Sequence, residues 1–225
     1  MFEKEPGIIP ALDVRLSKAE ELVRELKDIE EISAFKISSL LALEHGLREV
    51  AKRLKTYEVN LIYDHQKGCT DIPEIVSRQV EMVAEYNVDA FIAMPLGAGS
   101  ASLEAFLNTC KALNVLPIVL LSMSHPKADA FLSESYLGKL LLQIEGRVEY
   151  VIAPATYPEK ISEIKKRMAD VKIISPGVGP QKTGDFIVDA KNAIKAGADH
   201  LVIGRAIYSA ENPRRVTEEI LDALR

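Results

Sequence analysis

The chain has 225 residues, of which 48% are apolar and 27% charged, and its formal net charge is −5. That length supports one large domain with a substantial core, and the acidic balance excludes the broad basic footprint of a nucleic-acid-binding protein. It contains no run of 18 apolar residues, and MFEKEPGIIPALD at the N-terminus lacks a basic start followed by an apolar signal region, so no membrane segment is read and a cytoplasmic protein is expected.

Short β-rich runs alternate with helical patterns along the chain. GIIPALDV reads as the first strand, and SKAEELVRELKDIEE follows with Ala19, Leu22, Val23, Leu26 and Ile29 at helical spacing. The second pair is SAFKISSL and LEHGLREVAKRLKTY, the third VNLIYDHQ and IPEIVSRQVEMVAEYN, the fourth DAFIAMP and SLEAFLNTCKALN. LPIVLLSM is the fifth strand; the longer HPKADAFLSESYLGKLLLQIEG after it predicts an extra turn before its main helix. EYVIAPA with KISEIKKRMA, VKIISPGV with DFIVDAKNAIKAGA, and HLVIGRAI with NPRRVTEEILDALR complete the series. Most strand runs are almost continuously apolar, as in a parallel sheet buried on both faces. Eight alternations across residues 1–225, with no linker or low-complexity tract, predict a single α/β domain, a (β/α)8 TIM barrel, rather than an open doubly wound sheet.

Cys69 and Cys110 are too few and too far apart for a zinc site or a disulfide framework. Cys110 reads as a small apolar residue of a helix, and Cys69 has no His–Asn partner set of a nucleophile. The informative polar residues fall at strand ends, where a barrel builds its site. Asp13 ends the first strand, Lys36 lies on the second, Asp64 and Lys67 end the third, Ser124 ends the fifth, Pro176 closes the seventh and Arg205 follows the eighth. A lone Asp or Lys on a buried strand costs several kcal/mol; their joint occurrence at one end of the barrel points to a site. SPGVGPQKTGD and GRAIYSAENP after the last two strands add Gln181, Gly204 and Arg205, a set suited to phosphate.

In this order the pieces ALD at Asp13, FKIS at Lys36, the Asp/Lys/Asp/Ile/Pro cluster from Asp64, MSHP at Ser124, SPGVG at Pro176 and IGRAIYSAENP around Arg205 resemble the orotidine 5′-monophosphate decarboxylases of the short microbial type, over essentially the whole chain. The resemblance implies conversion of orotidine 5′-monophosphate to uridine 5′-monophosphate with no cofactor and no metal. It implies that Lys67 protonates C6, that Asp64 sits near the substrate carboxylate, and that Lys36 completes a Lys36–Asp64–Lys67–Asp71 array. Asp13 would join Lys36 at the ribose, Ser124 and Pro176 would line the base pocket, and Gln181 and Arg205 would hold the phosphate, with Gly204 beside them. Asp71, with Ile72 next to it, would reach across from the partner subunit of a homodimer.

The spacing departs from the family's Asp-x-Lys-x-x-Asp: Asp64 and Lys67 are three apart, and Lys67 and Asp71 four apart. Positions three apart on a regular strand face opposite sides, so the cluster converges only if the chain leaves the strand, as Gly68 permits. The phosphate loop carries Lys182 and Thr183 where the family favours glycine, and is a residue longer. His65 is read as a structural hydrogen-bonding residue. These departures keep two other readings open: an Mg²⁺-dependent hexulose-phosphate synthase or ketogulonate-phosphate decarboxylase of the same superfamily, and a non-catalytic nucleotide-binding paralogue.

Overall fold

The computed structural model describes residue 2, residues 4–179 and residues 184–225, without the side chains of Lys67, Asp129 and Phe131. The described elements run β1 (Gly7–Leu12), α1 (Leu16–Leu26), β2 (Phe35–Ser38), α2 (Ser39–His45), α3 (Leu47–Lys55), β3 (Leu61–Asp64), a 3-10 turn (Gln66–Cys69), α4 (Pro73–Glu85), β4 (Ala90–Ala93) and α5 (Gly99–Leu113). They continue with β5 (Leu116–Leu120), a second 3-10 turn (Ala128–Phe131), α6 (Glu134–Ile144), β6 (Tyr150–Ile152), α7 (Pro158–Arg167), β7 (Lys172–Pro176), α8 (Phe186–Ala196), β8 (His200–Ile203), α9 (Arg205–Tyr208) and α10 (Pro213–Leu224). All neighbouring strands are parallel, and β1 closes on β8 with Gly7 opposite His200 and Pro10 opposite Ile203. The expected (β/α)8 barrel is the observed fold.

Strand parity sorts the core into two layers. Ile9, Ala11, Ile62, Ala90, Ile92, Ile118, Leu120, Ile152, Ile174 and Val202 fill the barrel. The alternate residues, among them Ile8, Leu12, Phe35, Ile37, Phe91, Val151, Ile173 and Leu201, pack outward against Leu22, Leu54, Val80, Phe106 and Ile220 of the helices. Both faces of most strands are therefore largely apolar, which is why the strand runs read as continuous. Lys36 and Asp64 have the inward parity, and this carries their charges into the barrel.

The segment read as one helix after β2 is two. Gly46, at φ +78, breaks it between α2 and α3; a left-handed break of this kind is where glycine costs least. Ser38 ends β2 and also caps α2, its Oγ accepting from Leu41 N at 3.1 Å. The extra turn expected before the sixth helix is present at Ala128–Phe131.

At the N-terminal rim one staple occurs twice, four strands apart. Asp89 accepts from Leu61 N at 2.7 Å and pairs with Lys55, tying the start of β3 to β4. Asp199 accepts from Ile173 N at 2.6 Å and pairs with Lys165 at 2.8 Å, tying β7 to β8. Each carboxylate satisfies a strand-opening N–H that the ladder leaves over.

Between these staples lies an aromatic floor. His200 is fully buried and packs at a tilt against Phe2, with ring centroids 4.8 Å apart, and neither of its ring nitrogens has a hydrogen-bond partner among the described residues. Burial pushes its pKa down to about 4, partly opposed by the nearby carboxylates of Glu5 and Asp199. In the unfolded chain an imidazole titrates near 6.5, so between pH 6.5 and 4 the unfolded state binds the extra proton. Stability from this group is thus complete above pH 6.5 and falls by roughly 2–3 kcal/mol as the pH drops towards 4. Urea unfolding of wild type and His200→Gln over this range should give a shallower acid slope for the variant. Parallel slopes would show that His200 does not titrate on unfolding.

Candidate active site

The C-terminal ends of the strands enclose a cleft of about 280 Å³. Asp13, Lys36 and Asp64 line it from the β1–β3 side, Ser124 from beyond β5, Pro176, Gly177 and Gly179 from β7, and Gly204 and Arg205 from β8. Seven of the residues singled out in the sequence thus share one cleft.

Lys36 sits at the centre of the charged side. Its ammonium lies 2.8 Å from Asp64 Oδ2 and 3.7 Å from Asp13 Oδ1, and its side chain is 10% exposed. Burial works against this charge, but the carboxylates of Asp64 and Asp13 outweigh it and hold the pKa above that of an ordinary lysine. Lys36 is therefore cationic, and cannot act as a neutral base near pH 7. The second oxygen of Asp64, Oδ1, is buried and has no partner among the described residues. Such an oxygen is costly unless a cation or donor reaches it.

The chain leaves the strand just past Asp64. The Gln66–Cys69 turn is tied to β4 by Met94 N, which donates to Gln66 O at 2.9 Å, and closes on itself through Gly68 N to His65 O at 2.7 Å. Gly68 is required by close packing rather than by its dihedral: a Cβ here would stand 2.6 Å from Phe91. His65 points outward and stacks against both Tyr63 and Phe91, with its Nδ1 3.3 Å from Tyr63 Oη, which accords with the structural reading. Cys69 is buried among apolar residues, and burial pushes its thiol up to about 12, so thiolate chemistry is disfavoured. Lys67 lies in this turn; its side chain is outside the described residues, as is Gln181.

Asp71 and Ile72 do not reach the cleft of their own chain. Both are exposed, Ile72 at 59%, and Asp71 Oδ1 accepts from Ile72 N at 2.8 Å. Ser124 lies four residues past the end of β5 rather than on the strand. It is held by packing: Thr156 Oγ1 donates to its carbonyl at 3.1 Å, and Gly177, at φ +95, approaches so closely that a Cβ would meet Ser124 Cβ at 2.9 Å.

Sequence reasoning missed Gln66, Ser122, Met123 and Tyr208, all of which line the cleft. Parity was the available signal for two of them: Gln66 follows Asp64 by two, and Ser122 precedes Ser124 by two. Tyr208 reaches inward from the one-turn helix α9, its ring 3.3 Å from where a Cβ on Gly204 would lie. Burial and then the charge of Asp13 raise its pKa, so it remains a neutral phenol.

TIM barrels build their sites at these strand ends and frequently hold phosphate with the loops after the seventh and eighth strands; here those loops bring Gly177, Gly179, Gly204 and Arg205 to the cleft. The model of the orotidine 5′-phosphate decarboxylase / HUMPS family matches residues 6–220, and the chain belongs to this family. It is 34% identical over 222 residues to the orotidine 5′-phosphate decarboxylase of Pyrococcus abyssi, covering 97% of this chain and 99% of that one. The Methanococcus maripaludis decarboxylase is 32% identical over 93% of both chains. Among solved structures, orotidine 5′-phosphate decarboxylase from Pyrococcus horikoshii superposes with a TM-score of 0.82 at 33% identity, over 96% of this chain and 98% of that one. The Methanocaldococcus jannaschii enzyme, complexed with the inhibitor BMP, superposes with a TM-score of 0.84 at 29% identity, over 98% and 99% of the two chains.

The Lys36–Asp64 pair is testable as a unit. Lys36→Met leaves the Asp64 carboxylate, only 15% exposed, without its cation and should cost about 2–4 kcal/mol of stability. Adding Asp64→Asn should recover part of that loss, a coupling of about 1 kcal/mol or more in urea unfolding. Strictly additive losses would show that the two side chains act independently.

Proposed function

We propose that the cleft decarboxylates orotidine 5′-monophosphate to uridine 5′-monophosphate, with neither metal nor organic cofactor. The observation that carries this reading is the buried Lys36–Asp64 pair with Asp13 beside it, sharing one cleft with Arg205, in a chain belonging to the decarboxylase family.

Breaking the bond from C6 to the carboxyl carbon leaves the electron pair on C6 and releases neutral carbon dioxide. The ring cannot readily delocalise that pair, so the protein must stabilise it electrostatically and supply a proton. Lys67 is the proposed donor, giving a proton to C6 as carbon dioxide departs. Asp64 stands beside the substrate carboxylate and disfavours it by like charge, while its Oδ1, without a partner among the described residues, suits the Lys67 ammonium. Asp13 and Lys36 hold ribose hydroxyls, and Ser124 and Pro176 line the base. Gln181, Gly204 and Arg205 grip the phosphate, whose binding energy drives desolvation at the distant carbon. The test is an assay of carbon dioxide release from orotidine 5′-monophosphate with and without chelator. Turnover unaffected by chelator is expected. Turnover lost in chelator and restored by Mg²⁺ would favour the synthase reading, and binding of the product without turnover the paralogue.

The same reading makes the protein a homodimer in which Asp71 and Ile72 complete the neighbouring site. The exposure of Leu40 and Leu43 after β2, and of Ile72 and Ile75 after β3, supports it, because these connections are neighbours around the barrel. Mixing inactive Lys67→Ala with inactive Asp71→Ala should restore activity, since a heterodimer then has one site with both lesions and one with neither. With subunit exchange verified, a mixture that stays inactive would rule out action of Asp71 in trans.

A further inference from the structure

The end of β3 brings a neutral amide residue, Gln66, to the lining of the cleft. Inward positions at the end of β3 run Ile62, Asp64, Gln66, while Tyr63 and His65 face outward against Phe91. The backbone bond from Met94 N to Gln66 O keeps Gln66 in this parity although the chain is already turning there. In a spacing of Asp-x-Lys the inward position two residues after the aspartate holds the lysine. Here it holds Gln66, and Lys67 comes one residue later.

The surroundings of Gln66 define what it can do. Asp64 precedes it by two on the same strand line, and Ile92 and Leu120 of the next two strands line the same cleft. No hydrogen bond engages its carboxamide among the described residues. A substrate carboxylate placed beside Asp64 faces a like charge and an apolar surface, both of which disfavour it. The Gln66 amide is a donor in that quarter of the cleft that adds no charge.

We propose that Gln66 Nε2 donates a hydrogen bond to the ring carboxylate of the substrate, an inference that rests on the decarboxylation reading above. The bond is made to an anion and is lost as that anion becomes neutral carbon dioxide, so it stabilises the bound substrate more than the transition state. Gln66 is then a substrate-selecting residue: it favours the carboxylated nucleotide over its product and sets KM rather than kcat.

Gln66→Met keeps the length of the side chain and removes the donor. Its KM for orotidine 5′-monophosphate should rise about tenfold, the scale of one hydrogen bond to a charged group, with kcat at or above wild type. Its affinity for uridine 5′-monophosphate, which has no carboxylate, should match wild type in calorimetry. Equal weakening towards both nucleotides, or a fall in kcat at unchanged KM, would overturn the assignment. Failure of wild type to turn over the substrate would sink the decarboxylation reading but not this test, because both nucleotides can then be titrated directly. A wild-type preference for the carboxylated nucleotide that Gln66→Met abolishes supports the role of Gln66, and no such preference overturns it.

Discussion

An ammonium cannot remain charged inside a barrel of isoleucines and leucines without anions in contact with it, and the upper half of this molecule is organised by that requirement at Lys36. The inward parity of β2 carries its side chain towards the axis, and Asp13 from β1 and Asp64 from β3 meet it there. Three adjacent strand ends are thereby fixed relative to one another. Removing any one member leaves buried charge unbalanced, so the array is conditionally stable: it costs free energy unless it is complete. Asp64 also keeps one oxygen, Oδ1, buried and without a partner among the described residues, where a further donor or cation would lower its cost.

The opposite wall is fixed by contact instead of charge. Gly177 and Thr156 close on Ser124 from β7 and from beyond β6, so the polypeptide past β5 is positioned although it is no longer part of the sheet. On the β8 side, Gly204 leaves room for the Tyr208 ring beside Asp13. The cleft therefore has a charged side that tolerates no loss of partner and a close-packed side that tolerates little added volume.

Much of this was legible in the sequence, for physical reasons that can be named. Strands buried on both faces must be apolar throughout, so eight such runs announced the barrel, and Asp13, Lys36, Asp64 and Arg205 stood out because charge is expensive in that setting. The break at Gly46 was hidden because apolar periodicity continues on both sides of it, and only the dihedral reveals it. Gln66 and Tyr208 were hidden because neutral polar residues carry no comparable penalty and give no signal until parity or a one-turn helix aims them inward. Asp71 was read as reaching across to a partner subunit, and the fold turns it to the surface of its own chain after the Gln66–Cys69 turn has redirected the chain.

The paired staples at the N-terminal rim have a consequence for how such a chain can change. Asp89 and Asp199 lock strand alignment at the end of the barrel remote from the cleft, and the β3–β4 register runs unbroken from Ile62 opposite Ala90 to Asp64 opposite Ile92. The residues above Asp64 are taken up in the Gln66–Cys69 turn, and the sheet below keeps its register. With alignment anchored at one rim and the cleft at the other, length variation in the upper loops becomes evolutionary latitude: such a chain can re-space the side chains around its cleft without renegotiating the barrel beneath them.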